Sequence, residues 1–242
     1  MDRMIYLSMS GAKAALQRQD VLANNLANVS TNGFRAELAA FRAVPVRGDG
    51  ASTRVYALET TPGYNPESGA VAATGRNLDV AMTGDSWLAV QSLDGTEAYT
   101  RAGSLDVNAE GLLVTRAGLP VVGDGGPITV PANSEVQIAQ DGTISARAGN
   151  AKPQTIGKLK LVTPESPMTR GTDGLFRAAD GSDFPADPKA RVQDGALEGS
   201  NVSPVETMVS MIAAARQFEH QMKMLSNAEK QDQTASKLLS SN

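Results

Sequence analysis

His220 is the only histidine, and the chain has no cysteine. A histidine acting as a catalytic base needs a nucleophile and an orienting acid, and one acting as a metal ligand needs companions. With no thiol and no second imidazole, His220 reads as a polar residue on a helix face. Disulfides and thiolate chemistry are excluded outright. Carboxylates offer more. Asp94-Gly95, Asp141-Gly142, Asp173-Gly174 and Asp180-Gly181 place acidic side chains in turns, but no twelve-residue loop carries calcium-ligand spacing. Two Asp or Glu from distant loops would suffice for a glycosidase, which leaves that chemistry open at this stage. Gly123-Asp124-Gly125-Gly126 lacks the lysine and spacing of a phosphate loop and reads as a turn. Asn28-Val29-Ser30 and Asn201-Val202-Ser203 match the glycosylation pattern, with no secretory leader to support it. The residue types therefore point away from catalysis, with no cofactor, no metal and no small-molecule substrate, and toward a structural chain.

Side chains suited to subunit contact lie at the two ends. Over the first thirty residues Ile5, Met9, Ala12, Leu16, Ala23 and Leu26 recur at steps of three, four and seven, the spacing of one helix face. The stripe is rich in small residues, as in a helix packed closely on another. Asn32-Gly33 supplies the stop, because glycine accepts the left-handed conformation. At the other end Ser203-Pro204-Val205-Glu206 is a start signal: Ser203 caps exposed amides, Pro204 suits the first helical position and Glu206 closes a capping box. Met208, Met211, Ala215, Phe218, Met222 and Leu225 then follow alternating three–four spacing, a heptad seam, with Ile212 beside it. A helix over 205–242 would be roughly 55–60 Å long. Neither seam is wide enough to hold an isolated pair of helices firmly against the entropy of ordering them. Order at the ends is therefore expected to come from neighbouring copies.

Two features of these ends carry a double reading. Asn24, Asn25 and Asn28 either terminate the first helix by competing for its hydrogen bonds or form a buried polar network between subunits. The methionines of the second seam are either plain core or an adaptable interface, since methionine fills irregular gaps. The predicted assembly residues are thus Ile5, Met9, Leu16, Asn24, Asn25, Leu26, Asn28, Met208, Met211, Ile212, Phe218, Met222 and Leu225.

The middle differs in kind. From about Leu78 to Phe176 short β-type runs alternate with turns, among them Trp87 to Gln91, Tyr99 to Ala102, Leu112 to Thr115, Val136 to Ile138, Thr143 to Ser145 and Leu159 to Thr163. This predicts an all-β domain of sandwich or irregular barrel type, with Trp87 and Tyr99 in its core. The expected fold is α+β: residues 1–33 and 203–242 form a coiled-coil-like helical domain, and an all-β domain over 77–184 is inserted between them. Residues 34–76, with three prolines, and 185–202 read as linkers. Net charge is −4 with no basic block, so nucleic acid and a basic membrane-surface helix are excluded as partners. The first residues are too weakly apolar for a secretory signal.

Several motifs resemble those of the flagellar rod and hook protein family. Leu22-Ala-Asn-Asn-Leu-Ala-Asn-Val-Ser-Thr-Asn-Gly-Phe34 is similar to its N-terminal signature. Thr74-Gly-Arg-Asn-Leu-Asp-Val-Ala-Met82, Ala98-Tyr-Thr-Arg-Ala-Gly103 and Gly195-Ala-Leu-Glu-Gly-Ser-Asn-Val202 stand where the family has them, and Val205 to Leu225 resembles its closing helix. The resemblance covers nearly the whole chain. The opening Met1 to Tyr6 and the short β-insert are most similar to the proximal rod members, with the distal rod members, which are usually somewhat longer and open differently, as the alternative. The resemblance implies a subunit of the hollow rod of the basal body, with terminal helices building the inner tube and the β-domain facing outward. It also implies that copies of the chain and other rod proteins are its partners. Export would be through the flagellar type III apparatus, without a cleaved signal, to a rod that crosses the periplasm. Two other readings stay open: an enzyme on an oligomerising stalk, which needs carboxylates facing across a cleft, and a glycan-binding module, which needs an exposed aromatic platform.

Overall fold

The computed structural model describes residues 4–45, 55–59, 63–149 and 151–240. The fold is α+β: an N-terminal helix, a β-rich middle and a C-terminal helix. The chain divides into two compact units. The first comprises Met1–Val29, Ala36–Asn65 and Val202–Asn242, and the second Ser30–Arg35 and Pro66–Asn201.

The first unit is built on helix α1, Met4–Ala27, and helix α2, Pro204–Ser240, which pack along one another. The start of α2 has the expected serine cap, with Pro204 as its first residue. The Ser203 hydroxyl accepts from the Glu206 amide at 3.4 Å, and the Ser203 carbonyl accepts from both the amide and the hydroxyl of Thr207, at 3.0 and 2.8 Å. Helix α1 stops where Asn28 turns its amide back onto the carbonyls of Asn24 and Asn25. The stretch read above as an extended linker is not featureless. Phe41–Pro45 pairs antiparallel with Val55–Glu59, and Glu37–Leu38 with Gly63–Tyr64. The first of these ribbons lies against α1, where the Ser10 hydroxyl donates to the Ala57 carbonyl at 3.3 Å. These strands hold by backbone bonds on a largely exposed surface, so an apolar alternation was absent from the sequence.

The second unit is a set of small antiparallel sheets around one apolar core. Five strands run in the spatial order 161–162, 87–91, 97–100, 176–178 and 168–170, and three more in the order 134–138, 143–148 and 154–158. Val80, Leu88, Val90, Leu105, Leu113, Val121, Ile144 and Leu159 form the centre. The Asp-Gly pairs sit in turns that the carboxylates stabilise. Asp94 and Asp141 each accept from the amide two residues on, at 3.0 Å, and from that residue's threonine hydroxyl. Those bonds to Thr96 and Thr143 hold both carboxyls below the usual aspartate range. Trp87 and Tyr99 are buried, and burial pushes the Tyr99 phenol up. The unit extends beyond 77–184, because Val71–Ala73 pairs with Ala196–Glu198 and Val80–Met82 with Val192–Asp194.

Candidate assembly surface

The contact between α1 and α2 selects small side chains. On α1 the more buried positions are Ile5, Ser8, Ala12, Ala15, Gln19, Leu22 and Leu26, and on α2 they are Thr207, Met211, Ala214, Phe218, Gln221, Leu225 and Ala228. Both series alternate three and four, a strict heptad spacing. Of the expected seam, Ile5, Ala12, Leu26, Met211, Phe218 and Leu225 lie on or beside this inner stripe. Met9, Leu16, Met208, Ile212 and Met222 do not: all five are exposed. The inner stripe runs one residue away from the expected one, through Ser8 and Ala15 in place of Met9 and Leu16, and through Thr207, Ala214 and Gln221 in place of Met208, Ala215 and Met222. Close approach explains the shift. Around Gly11 a β-carbon would come within 2.8 Å of the Gln221 side chain, so the helices meet where side chains are smallest. The larger apolar groups are turned out.

The result is a second stripe on α2, Val205, Met208, Ile212 and Met222, with Val209 beside it, and on α1 a shorter one through Met9 and Leu16 with Tyr6 nearby. All are large, apolar and exposed. Single exposed apolar residues are ordinary; here Val205, Met208, Val209 and Ile212 fall close together on the first turns of α2, and Met222 stands beyond the exposed Glu219. Among the described residues no helix is long and apolar enough to cross a membrane.

The asparagines are engaged in bonds within the chain. Asn25 is buried, its amide donating to the Glu37 carbonyl at 2.9 Å while its side-chain oxygen accepts from the Glu37 amide at 2.8 Å. This pairing, equivalent to one rung of a sheet, ties the strand Glu37–Leu38 to the end of α1 and commits Asn25 within the chain. Asn28 donates to the carbonyl and the side-chain oxygen of Asn24 at 3.0 and 3.1 Å, and Asn24 itself is exposed. Asn25→Ala removes both bonds of a buried amide, with an expected loss of about 1–3 kcal/mol of local stability. Hydrogen exchange at the Glu37 amide should speed up accordingly, and unchanged exchange would show that the strand holds without it.

The second unit contains a cluster that sequence reasoning missed. Glu198, Arg35 and Arg101 are all almost fully buried. Arg35 Nη1 donates to Glu198 Oε1 at 2.6 Å, and Arg101 Nε and Nη2 approach Oε2 at 2.7 and 2.6 Å. The Gly69 amide also donates to Oε1, at 3.0 Å. The remaining Arg101 donors are met by the carbonyls of Gly84, Ser86 and Met82. Gly69 must be glycine, since a β-carbon there would lie 2.2 Å from the Gly199 carbonyl oxygen. Gly33 has φ +69° and donates to the Glu198 carbonyl at 2.8 Å, so the segment entering this unit is fastened to the one leaving it. The only available signal was that Arg101-Ala102-Gly103 and Glu198-Gly199 lie in the motifs quoted above and that Arg35 directly follows the one ending at Phe34.

The catalytic and glycan-binding readings find little to stand on. A groove in the second unit is lined by Ser30, Thr31, Asn32, Thr100, Ser104, Thr115, Arg116, Ala117, Leu119 and Leu175, with Ala102; no carboxylate faces it. Phe34, Trp87, Tyr99, Phe176 and Phe184, the aromatic residues of this unit, are all buried, leaving no aromatic platform.

Comparison with known proteins agrees over the whole chain. Residues 5–35 match the family described as flagella basal body rod protein, 81–146 the flagellar hook protein FlgE/F/G D1 domain, and 193–238 the flagellar basal body rod FlgEFG protein C-terminal family. The flagellar basal-body rod protein FlgF of Salmonella typhimurium is 49% identical, and that of Escherichia coli 48%, each over 99% of both chains. The flagellar basal-body rod protein FlgG of Buchnera aphidicola is 31% identical over 97% of this chain and 98% of its own. These matches include the motifs that hold Asn25 at the end of α1 and Glu198 between its two arginines, and the chain belongs to the flagellar basal-body rod protein family.

Proposed function

We propose that this protein is a structural subunit of the proximal part of the flagellar rod, and not a catalyst. It polymerises with copies of itself and with other rod proteins into the hollow shaft of the basal body. Similarity to the FlgF proteins at 49% and 48% identity, against 31% for a FlgG protein, favours the proximal reading over the distal one. The observation that carries the assembly role is the outward stripe of large apolar residues on α1 and α2. A rod subunit meets several neighbours, and a helix with two adjacent heptad stripes fits that need: the inner stripe pairs the helices of one chain, and the outer stripe joins coiled-coil-like contacts with the next. Met9, Leu16, Met208, Ile212 and Met222 belong to the outer contact in this account. Ile5, Leu26, Met211, Phe218 and Leu225 support it from within. Asn24 and Asn28 lie at its edge and Asn25 braces it. Export by the flagellar type III apparatus, without a cleaved signal, delivers the chain to a rod that crosses the periplasm. In this reading the helical ends serve assembly.

Ends that depend on neighbours for order should be cut early by a nonspecific protease in the purified chain and be resistant in isolated basal bodies. Equal resistance of both ends in the two states would remove the basis for assembly-coupled ordering.

A further inference from the structure

The chain has no cysteine, so its thioethers are its only sulfur chemistry, and they are unevenly placed. Met9, Met208, Met222 and Met224 are 55, 52, 43 and 46% exposed, all on α1 and α2, whereas Met82 and Met168 of the β-rich unit are 3 and 7% exposed. Met208 and Met222 are two heptads apart on the outer stripe of α2, Met9 lies on that of α1, and Met224 lies off the stripe, two residues past Met222. Oxidation of a thioether follows solvent access and converts an apolar, flexible group into a polar sulfoxide. We infer that Met9, Met208, Met222 and Met224 form a peroxide-sensitive modification site whose oxidation switches off the assembly surface of the free subunit. In the step, the sulfur lone pair attacks one peroxide oxygen and the O–O bond breaks. The sulfur gains that oxygen and is oxidised by two electrons, and the second oxygen leaves as water. The β-rich unit keeps its fold, because its own methionines are shielded.

The surface this acts on is the one assigned under the proposed function, and the inference rests on that reading. The test uses the full-length chain, treated with dilute hydrogen peroxide. Peptide mass spectrometry should find sulfoxide at Met9, Met208, Met222 and Met224 forming about tenfold or more faster than at Met82 and Met168. Self-association by sedimentation velocity should fall about tenfold or more, while Trp87 fluorescence stays that of the folded unit. A chain carrying M9L, M208L, M222L and M224L should associate normally and be indifferent to peroxide. Methionine sulfoxide reductase should restore the treated wild type. The inference is overturned if the treated wild type, with sulfoxide mapped to these four positions, associates as before. It is equally overturned if the leucine variant loses association on treatment, or if Met82 and Met168 oxidise as fast. Should the untreated wild type fail to associate at any concentration, it is the assembly reading itself that falls.

Discussion

Glu198→Ala is expected to unfold the β-rich unit at far lower denaturant than the wild type. The substitution leaves the guanidinium groups of Arg35 and Arg101 buried without the carboxylate that balances them. Breaking a buried ion cluster by removing one partner costs about 3–5 kcal/mol, a large share of the stability of a unit this size. It also takes away the acceptor of the Gly69 amide. Three stretches distant in sequence, around residues 35, 69 and 101, lose their common anchor at once. The readout is built in. Trp87, the only tryptophan, is buried with its ring 4.7 Å from that of Phe176, and the Arg101 guanidinium carbon is 5.9 Å from its centroid. Its fluorescence in a urea titration therefore reports on the neighbourhood of the cluster. Glu198→Gln keeps the shape and one acceptor and should fall between the two. A Glu198→Ala midpoint equal to that of the wild type would mean that the cluster contributes nothing net.

The second large effect should leave stability alone. Ile212 is 56% exposed in the free chain, so Ile212→Lys puts a charge where water already is and should leave the urea midpoint and helix content unchanged. In a packed interface the same lysine would be a desolvated, unpaired charge. Substitution at one of the few dominant positions at the centre of an interface costs about 2 kcal/mol or more, roughly thirtyfold in affinity. With the lesion repeated in every subunit of the polymer, swimming motility should be lost. Met211→Lys and Phe218→Lys should also block assembly with the β-rich unit still folded. They differ in mechanism, because Met211 and Phe218 lie on the inner stripe and their loss also loosens α1 from α2. A cell carrying Ile212→Lys that swims normally would remove the outer stripe from the assembly surface.

The parts of this fold that were legible in the sequence are local. Ser203 and Pro204 announced α2, and Asp-Gly pairs marked turns, each through chemistry acting over three or four residues; Asn32-Gly33 lies beyond the last residue of α1, Ala27, where Asn28 turns back onto Asn24 and Asn25. The α+β plan follows from those signals. The phase of the helical stripes was not legible. Two adjacent heptad series run along each helix, and hydrophobicity favours the one with the larger side chains, whereas close packing of α1 on α2 favours Ser8, Ala12, Ala15, Ala214 and Ala228. Of the residues predicted for the interface by size, Met9, Leu16, Met208, Ile212 and Met222 were therefore left exposed, while Ile5, Leu26, Met211, Phe218 and Leu225 fall on or beside the inner stripe. Val71–Ala73 and Ala196–Glu198 escaped notice because their pairing joins segments far apart and the first of them is exposed along its length. The Arg35–Glu198 pair spans 163 residues, beyond any periodicity argument. A charged residue in a Gly-rich stretch looks like surface until its partner is found.

The central claim is that the outer stripe of α2 is covered by neighbouring subunits in the assembled rod. A chain without cysteine allows a direct measurement. Single cysteines placed by I212C and, as an exposed control in the β-rich unit, L93C are labelled with a maleimide in the free protein and again in intact basal bodies. Both thiols should react readily in the free chain, where Leu93 is 94% exposed. In basal bodies from motile cells the thiol at position 212 should be protected by about an order of magnitude or more, as burial at a packed interface requires. Reaction of that thiol at the free-chain rate within an assembled, working basal body would contradict the account.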